Sequence, residues 1–280
     1  MFNNLKFPDI TTIFTLMKYK VSLAVTFTTV TGYLIFKGNF DLRLLYTAIG
    51  VFILAGGTSA LNQIQERKFD ARMERTKHRP LPSHKITPIT ALIVSIILML
   101  SGLSILYFLS GKVSATLGIF NIFWYNIIYT YLKQITSFAV VPGSLVGAIP
   151  AMIGWSAAGG TILDTRIIII AYFLFIWQIP HFWFLLLKYG KEYEEAGFPS
   201  ISKVFSQQSL KSLTFIWIIA TSITTLMFPL FNIISIPFLL IIIFNAAFKR
   251  KCLDRHLLWW CSFLVNQPAA NDYYDYSHDN

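Results

Sequence analysis

Residues 44–70 read LLYTAIGVFILAGGTSALNQIQERKFD, an apolar run that changes character at Asn62. A helix crossing about 30 Å of hydrocarbon needs about 20 mostly apolar residues, and Leu44–Leu61 carries no charge. Beyond it, Asn62, Glu66 and Asp70 follow at i, i+4 and i+8. On a 3.6-residue helix those positions form one stripe, each about 6 Å of axial rise from the next. The stretch therefore predicts a membrane-spanning helix that turns three oxygen-bearing side chains one way at its polar end.

Outward from this helix the same kind of run recurs. Apolar stretches predict spans at Val21–Phe36, Leu44–Leu61, Ile86–Ser110, Val113–Leu132, Ser137–Gly159, Ile167–Leu187, Leu213–Phe228 and Ile233–Phe248; a ninth candidate, Leu257–Val265, is too short by itself. Composition agrees, with 55% hydrophobic and 13% charged residues against roughly 25% charged in soluble proteins. A water-soluble globule is excluded, and the expected fold is an all-α, polytopic bundle of eight to nine transmembrane helices. Residues 1–248 form one membrane domain, and 249–280 are an atypical C-terminal segment, a degenerate ninth helix or a polar tail.

The net charge of +10 does not point to nucleic acid, because positional bias across a bilayer accounts for it. With the N-terminus cytoplasmic, 19 of the 23 Lys and Arg residues lie inside, and Lys37, Arg43, Lys112 and Arg166 lie outside. Every even-to-odd connection then faces the cytoplasm, so one cavity there can be assembled from loops 2/3, 4/5 and 6/7. The opening MFNNLKFPDI lacks the apolar core of a signal peptide and the Arg/Ser-rich character of a transit peptide, which favours a bacterial-type inner membrane over an organelle. Cys252 and Cys261 form no C-x-x-C pair, so neither a disulfide framework nor a zinc site is indicated.

Chemistry concentrates in residues 62–85. Magnesium prefers oxygen ligands and is usually held by one or two carboxylates together with substrate phosphates, so an Asn62, Glu66, Asp70 stripe suits a metal diphosphate. Arg67, Arg75, Lys77 and Arg79 supply cations for phosphate oxygens. The same residues also fit a solvated loop obeying the topology rule, with Glu66 and Asp70 paired to Arg67 or Lys68.

The run N-x-x-x-E-x-x-x-D followed by M-x-R-T-x-x-R-P-L-P, Asn62 to Pro82, resembles the first acidic motif of the intramembrane UbiA-type prenyltransferase superfamily, and within it the haem O synthase (protohaem IX farnesyltransferase) branch. YTYLKQIT and GSLVGAIPAMIGWSAAGG resemble that branch's helix 4/5 region, with Lys133 and Thr136 on the turn. WQIPHFWFLLLKYGKEYEEAGFP resembles its W-Q-x-P-H-F segment, matching at Trp177, Gln178, Pro180, His181, Phe182, Tyr193, Ala196, Gly197 and Pro199. The likeness covers roughly Lys18 to Phe248. Glu66 stands where other branches of the superfamily usually have Asp; the departures are Glu192, where Asp is usual, the absence of the Asn common near Ala139, and the text after Phe248, which does not match the expected ninth helix.

The resemblance implies a Mg²⁺-dependent transfer of farnesyl from farnesyl diphosphate to a vinyl group of haem b, a substrate rather than a cofactor. Asn62, Glu66, Asp70 and Glu192 would hold the metal. Arg75, Arg79, Lys133 and Lys18 would bind diphosphate, with Asn62, Glu66, Asp70, Arg79 and Lys133 forming the catalytic set. His181 and Trp177 would contact haem, although a buried histidine serves a purely structural role equally well. Glu192 and Glu195 share a helical face at i, i+3, and Phe123, Tyr125 and Tyr129 are candidates to line the chamber and stabilise an allylic cation. Downstream partners would be a haem A synthase or cytochrome oxidase assembly. Prenylation of an aromatic ring is the alternative within the class, and a transporter the alternative outside it; charges gathered at helix ends rather than mid-membrane speak against the latter.

Overall fold

The computed structural model describes residues 8–199 and 204–233. Among these the chain is helical, with no strand. Among the described residues six helices are long and apolar enough to cross a membrane, and the protein is a multi-pass membrane protein. A short helix α1 (Ile10–Leu16), not expected from the sequence, precedes α2 (Tyr19–Lys37). Then follow α3 (Leu42–Asp70), α4 (Pro88–Ile105), α5 (Lys112–Ile122), α6 (Thr130–Ile135), α7 (Val140–Ala157), α8 (Thr165–Glu195) and α9 (Gln207–Leu230). Seven of the eight expected spans fall on these helices. The eighth, Ile233–Phe248, beyond its first residue, and with it the short candidate Leu257–Val265 and the tail 249–280, lie outside the described residues.

Helix starts follow ordinary capping chemistry. The side chains of Asp41, Thr87, Asp164 and Ser206 accept from backbone N–H groups at the heads of α3, α4, α8 and α9, satisfying donors that have no partner inside a helix. Asp41 also accepts from Tyr33 at 2.7 Å and from Lys37, which ties the end of α2 to the start of α3. The Lys37 ammonium beside it holds the Asp41 carboxyl below its ordinary value.

Two departures from regular helix matter for the site. α4 runs on through a π-helical turn at Leu106–Ser110, and the rod from Lys112 to Ile135 is interrupted by a longer one at Phe123–Tyr129. Apolar periodicity cannot register such a change of winding. The second departure is length: α3 continues nine residues beyond its apolar run, to Asp70, and α8 continues through Pro180 to Glu195.

Lipid offers no hydrophobic drive for helices to associate, so close packing depends on small residues. The crossing of α2 with α7 shows this: a Cβ at Gly154 would run into the Thr29 carbonyl, and one at Gly32 into that of Ala151. α3 meets α4 in the same way, through Gly50, Gly57 and Gly102. Val51, Leu54, Leu106, Ala115, Ile149 and Ile153 from four helical segments form the apolar cluster between these pairs. Above it the bundle encloses a cavity.

Candidate active site

The cavity has a volume of about 250 Å³ and two unlike halves. Its deep part is apolar, walled by Val25, Val51, Leu54, Ile122 and Ile153. Its other end carries Lys18, Asn62, Glu66, Asp70, Arg75, Arg79 and Lys133. Residues remote in sequence thus converge at one end of the bundle.

α3 supplies the acidic stripe, and burial decides between its two sequence readings. Asn62, Glu66 and Asp70 are 2%, 4% and 1% exposed, so they are not a solvated loop face. Their partners are also not the neighbours Arg67 and Lys68. Lys133 from α6 lies 2.7 Å from Glu66, and Arg79 Nη1 donates to both oxygens of Asp70 at 2.9 Å. Arg67 instead donates to the Ile64 carbonyl. Carboxylates are rarely buried without such pairing, and here each partner arrives from another element.

Lys18 comes from the break between α1 and α2, where its backbone adopts a left-handed conformation at φ 47° that is uncommon outside glycine. That turn brings its ammonium to 2.8 Å from Asn62 Oδ1. Desolvation pushes Lys18 down to about 7, with Arg79 acting in the same sense and Glu66 opposing it. Asn62 Nδ2 donates to Thr130 Oγ1 at 3.1 Å, and the Thr130 hydroxyl donates to the Tyr125 carbonyl at 2.8 Å.

The π-helical turn shapes one wall. It stacks Tyr125 on Tyr129, with centroids 6.0 Å apart and planes 19° apart, and both rings line the cavity. Phe123, the third aromatic singled out in the sequence, is exposed and does not line it. π turns leave carbonyls without regular partners; here Gln65 Nε2 takes the Asn126 carbonyl at 2.9 Å, and Asn126 Nδ2 reaches the Thr58 carbonyl at 3.0 Å. Lys133 lies 6.0 Å from the Tyr129 ring centroid and 5.0 Å from that of Phe198.

α8 contributes Gln178, His181, Phe182 and Tyr193. His181 Nε2 is buried with no hydrogen-bond partner, and its ring stacks on Trp177 at 14° between planes. Trp177 itself does not line the cavity; it backs the histidine. The end of α8 docks beside the stripe, with Phe69 stacked on Phe198 at 4.3 Å and Arg72 donating to the Ala196 carbonyl. Glu192 therefore lies at the same end as Asp70. It does not line the cavity, and its Oε2 is buried without a hydrogen-bond partner. Glu195 is exposed.

Among the described residues, no three His, Cys, Asp or Glu side chains approach closely enough to hold a metal alone. The sequence reading also passed over Asn121, whose buried Oδ1 has no hydrogen-bond partner and which lines the cavity. An Asn inside the otherwise apolar run GIFNIFWY was the available signal, since polar groups at membrane depth are functional candidates.

The arrangement matches known proteins at two levels. "Protoheme IX farnesyltransferase" of Geobacter sulfurreducens is 38% identical over 186 residues, covering 66% of this chain and 68% of that protein. The protein of the same name in Bdellovibrio bacteriovorus is 33% identical over 246 residues, covering 84% and 82%. In structure, a digeranylgeranylglyceryl phosphate synthase superposes with a TM-score of 0.68 at 17% identity, over 92% of this chain and 88% of that one. A UbiA homolog from Archaeoglobus fulgidus bound to GPP and Mg²⁺ superposes with a TM-score of 0.67 at 13% identity, over 84% and 87%. These two share the fold. The model of the UbiA prenyltransferase family matches residues 25–255, and with the buried acidic stripe and its cations gathered over an apolar chamber, this chain belongs to that family.

Proposed function

We propose that this protein transfers the farnesyl group of farnesyl diphosphate to a vinyl group of haem b, giving haem O and diphosphate. The observation that carries the reading is the two-part cavity, with four cations and two carboxylates at one end and apolar walls at the other. A prenyl diphosphate has the same division. The names of the relatives at 31–39% identity support haem as the acceptor.

The donor set fits magnesium. Asn62, Glu66 and Asp70 offer oxygens along one stripe, and Glu192 adds a buried carboxylate oxygen without a hydrogen-bond partner. Among the described residues too few acids gather to cage an ion alone; a cation that takes part of its shell from substrate phosphates would suit such a site. Magnesium held by these four residues would neutralise charge building on the leaving diphosphate.

The remaining chemistry belongs to this chain's own groups. Lys133 and Arg79 can leave Glu66 and Asp70 for phosphate oxygens, and Lys18 and Arg75 complete the anion site. Lys18, weakly basic when alone, gains its proton more readily beside a polyanion. As the C1–O bond of farnesyl diphosphate breaks, the pair of electrons leaves with diphosphate and positive charge spreads over the allyl group. The faces of Tyr125 and Tyr129 stabilise that charge. The terminal vinyl carbon bonds to C1, water adds to the cation left beside the porphyrin, and one proton departs. His181, backed by Trp177, lies against the porphyrin.

We further assign residues 1–248 to a single membrane domain in a bacterial inner membrane, with the N-terminus and the charged end of the cavity cytoplasmic, following the Lys and Arg bias. The test is to incubate membranes containing the protein with haem b, farnesyl diphosphate and Mg²⁺ and to follow haem O by mass spectrometry. Haem O formed only when all three are present is the expected result. Prenylation of an aromatic-ring acceptor with no haem O would overturn the assignment.

A further inference from the structure

We infer that Thr130 is a positioning residue: it fixes the polarity of the Asn62 carboxamide, so that Asn62 offers an oxygen and not an NH₂ group to the diphosphate end of the cavity. The inference rests on the farnesyl diphosphate reading above. It follows from a hydrogen-bond chain whose direction is determined at its far end. A backbone carbonyl can only accept. The Thr130 hydroxyl, 2.8 Å from the Tyr125 carbonyl, therefore spends its one proton there. Towards Asn62, 3.1 Å away, it has only lone pairs left. The carboxamide must direct Nδ2 at Thr130, and Oδ1 then faces Lys18 at 2.8 Å.

Lys18 supports the same orientation while it stays on Asn62, since an ammonium has no lone pair to offer an NH₂ group. Once Lys18 turns to a diphosphate, the acceptors on the NH₂ side remain: Thr130 at 3.1 Å, and the Glu66 carboxylate, which Asn62 also hydrogen-bonds until that carboxylate is drawn to a metal. A flipped amide would then set a donor among cations, where an oxygen is required. Thr130 is fully buried, so water cannot replace its hydroxyl cheaply. The Tyr125 carbonyl that directs the chain belongs to the π-helical turn. That turn is held separately by Gln65 on the Asn126 carbonyl, so losing the Thr130 hydroxyl leaves one tie intact.

The test is binding without turnover: purified protein, farnesyl diphosphate and Mg²⁺, no haem, with a separate haem titration. Thr130→Val keeps the shape and removes the hydroxyl; Thr130→Ser keeps the hydroxyl and removes a methyl. We expect Thr130→Val to weaken Mg²⁺-dependent farnesyl diphosphate binding about tenfold or more, as for loss of a buried hydrogen bond with its partner left unpaired. Haem affinity should not change, and Thr130→Ser should restore diphosphate binding to within about twofold of wild type. On an Asn62→Ala background, Thr130→Val should add nothing further, because the group it orients is gone. Should Thr130→Val not fold, Thr130→Ala removes the same hydroxyl without an interior methyl and carries the same expectations. Unchanged diphosphate binding, equal losses for haem and diphosphate, or a full Thr130→Val effect without Asn62 would each overturn the inference. If wild-type protein does not bind farnesyl diphosphate, it is the functional reading that fails.

Discussion

Replacing Lys133 with methionine removes the ammonium that faces Glu66 while keeping most of the side chain's volume. The two groups lie 2.7 Å apart, and their side chains are 21% and 5% exposed. At an effective dielectric constant of 20 the gross attraction is about 6 kcal/mol, much of it cancelled by the cost of desolvating both ions. Breaking such a pair leaves one charge buried and unpaired, at a net cost of about 3–5 kcal/mol. Because a fifth of Lys133 meets solvent, the lower end of that range, about 3 kcal/mol, is expected. At roughly 2–4 °C per kcal/mol the thermal midpoint should fall by roughly 6–12 °C. The double variant Glu66→Gln/Lys133→Met removes both charges of the pair and should recover most of the loss, although neither variant should turn over substrate. The assay is thermal unfolding of detergent-solubilised, ligand-free protein, followed by tryptophan fluorescence. A midpoint for Lys133→Met within about 2 °C of wild type, or a double variant no more stable than the single, would refute the buried-pair argument.

Asp70→Asn should abolish haem O formation, and because it leaves Arg79 facing a neutral amide it should also lower stability, which unfolding of the same preparation will register; Glu66→Asp, which keeps charge and changes only reach, should retain part of the activity. His181→Ala should weaken haem binding in a spectrophotometric titration while Mg²⁺–farnesyl diphosphate binding stays as in wild type; equal losses for both would make the histidine structural only. Chelation of Mg²⁺ should stop turnover and re-addition should restore it, and an unaffected rate would remove the metal from the reaction.

Membrane character, and which end of α3 carries the acids, were legible in the residues alone. Charge-free runs of sufficient length have few other uses, and the i, i+4, i+8 spacing fixes a stripe wherever the segment is helical, as α3 is through Asp70. What lies opposite that stripe was decided only by the packing of the bundle. Local spacing offers Glu66 and Asp70 the neighbours Arg67 and Lys68, but the buried face of α3 meets Lys133 of α6 and Arg79 of the loop beyond. No periodicity encodes which cation crosses the gap. The π-helical turn at Phe123–Tyr129 was equally illegible, because a change of winding depends on whether its freed carbonyls find donors, and those come from Thr130 and from Gln65 on another helix. Trp177 and Glu192 show the same limit. Sequence placed them near the site, but the rotation and docking of α8 set Trp177 behind His181 and Glu192 outside the cavity wall. A motif specifies which groups are available at one end of the bundle. Which of them face one another is a property of helices packed through their small residues, whose crossing positions are set by contacts far from the motif itself.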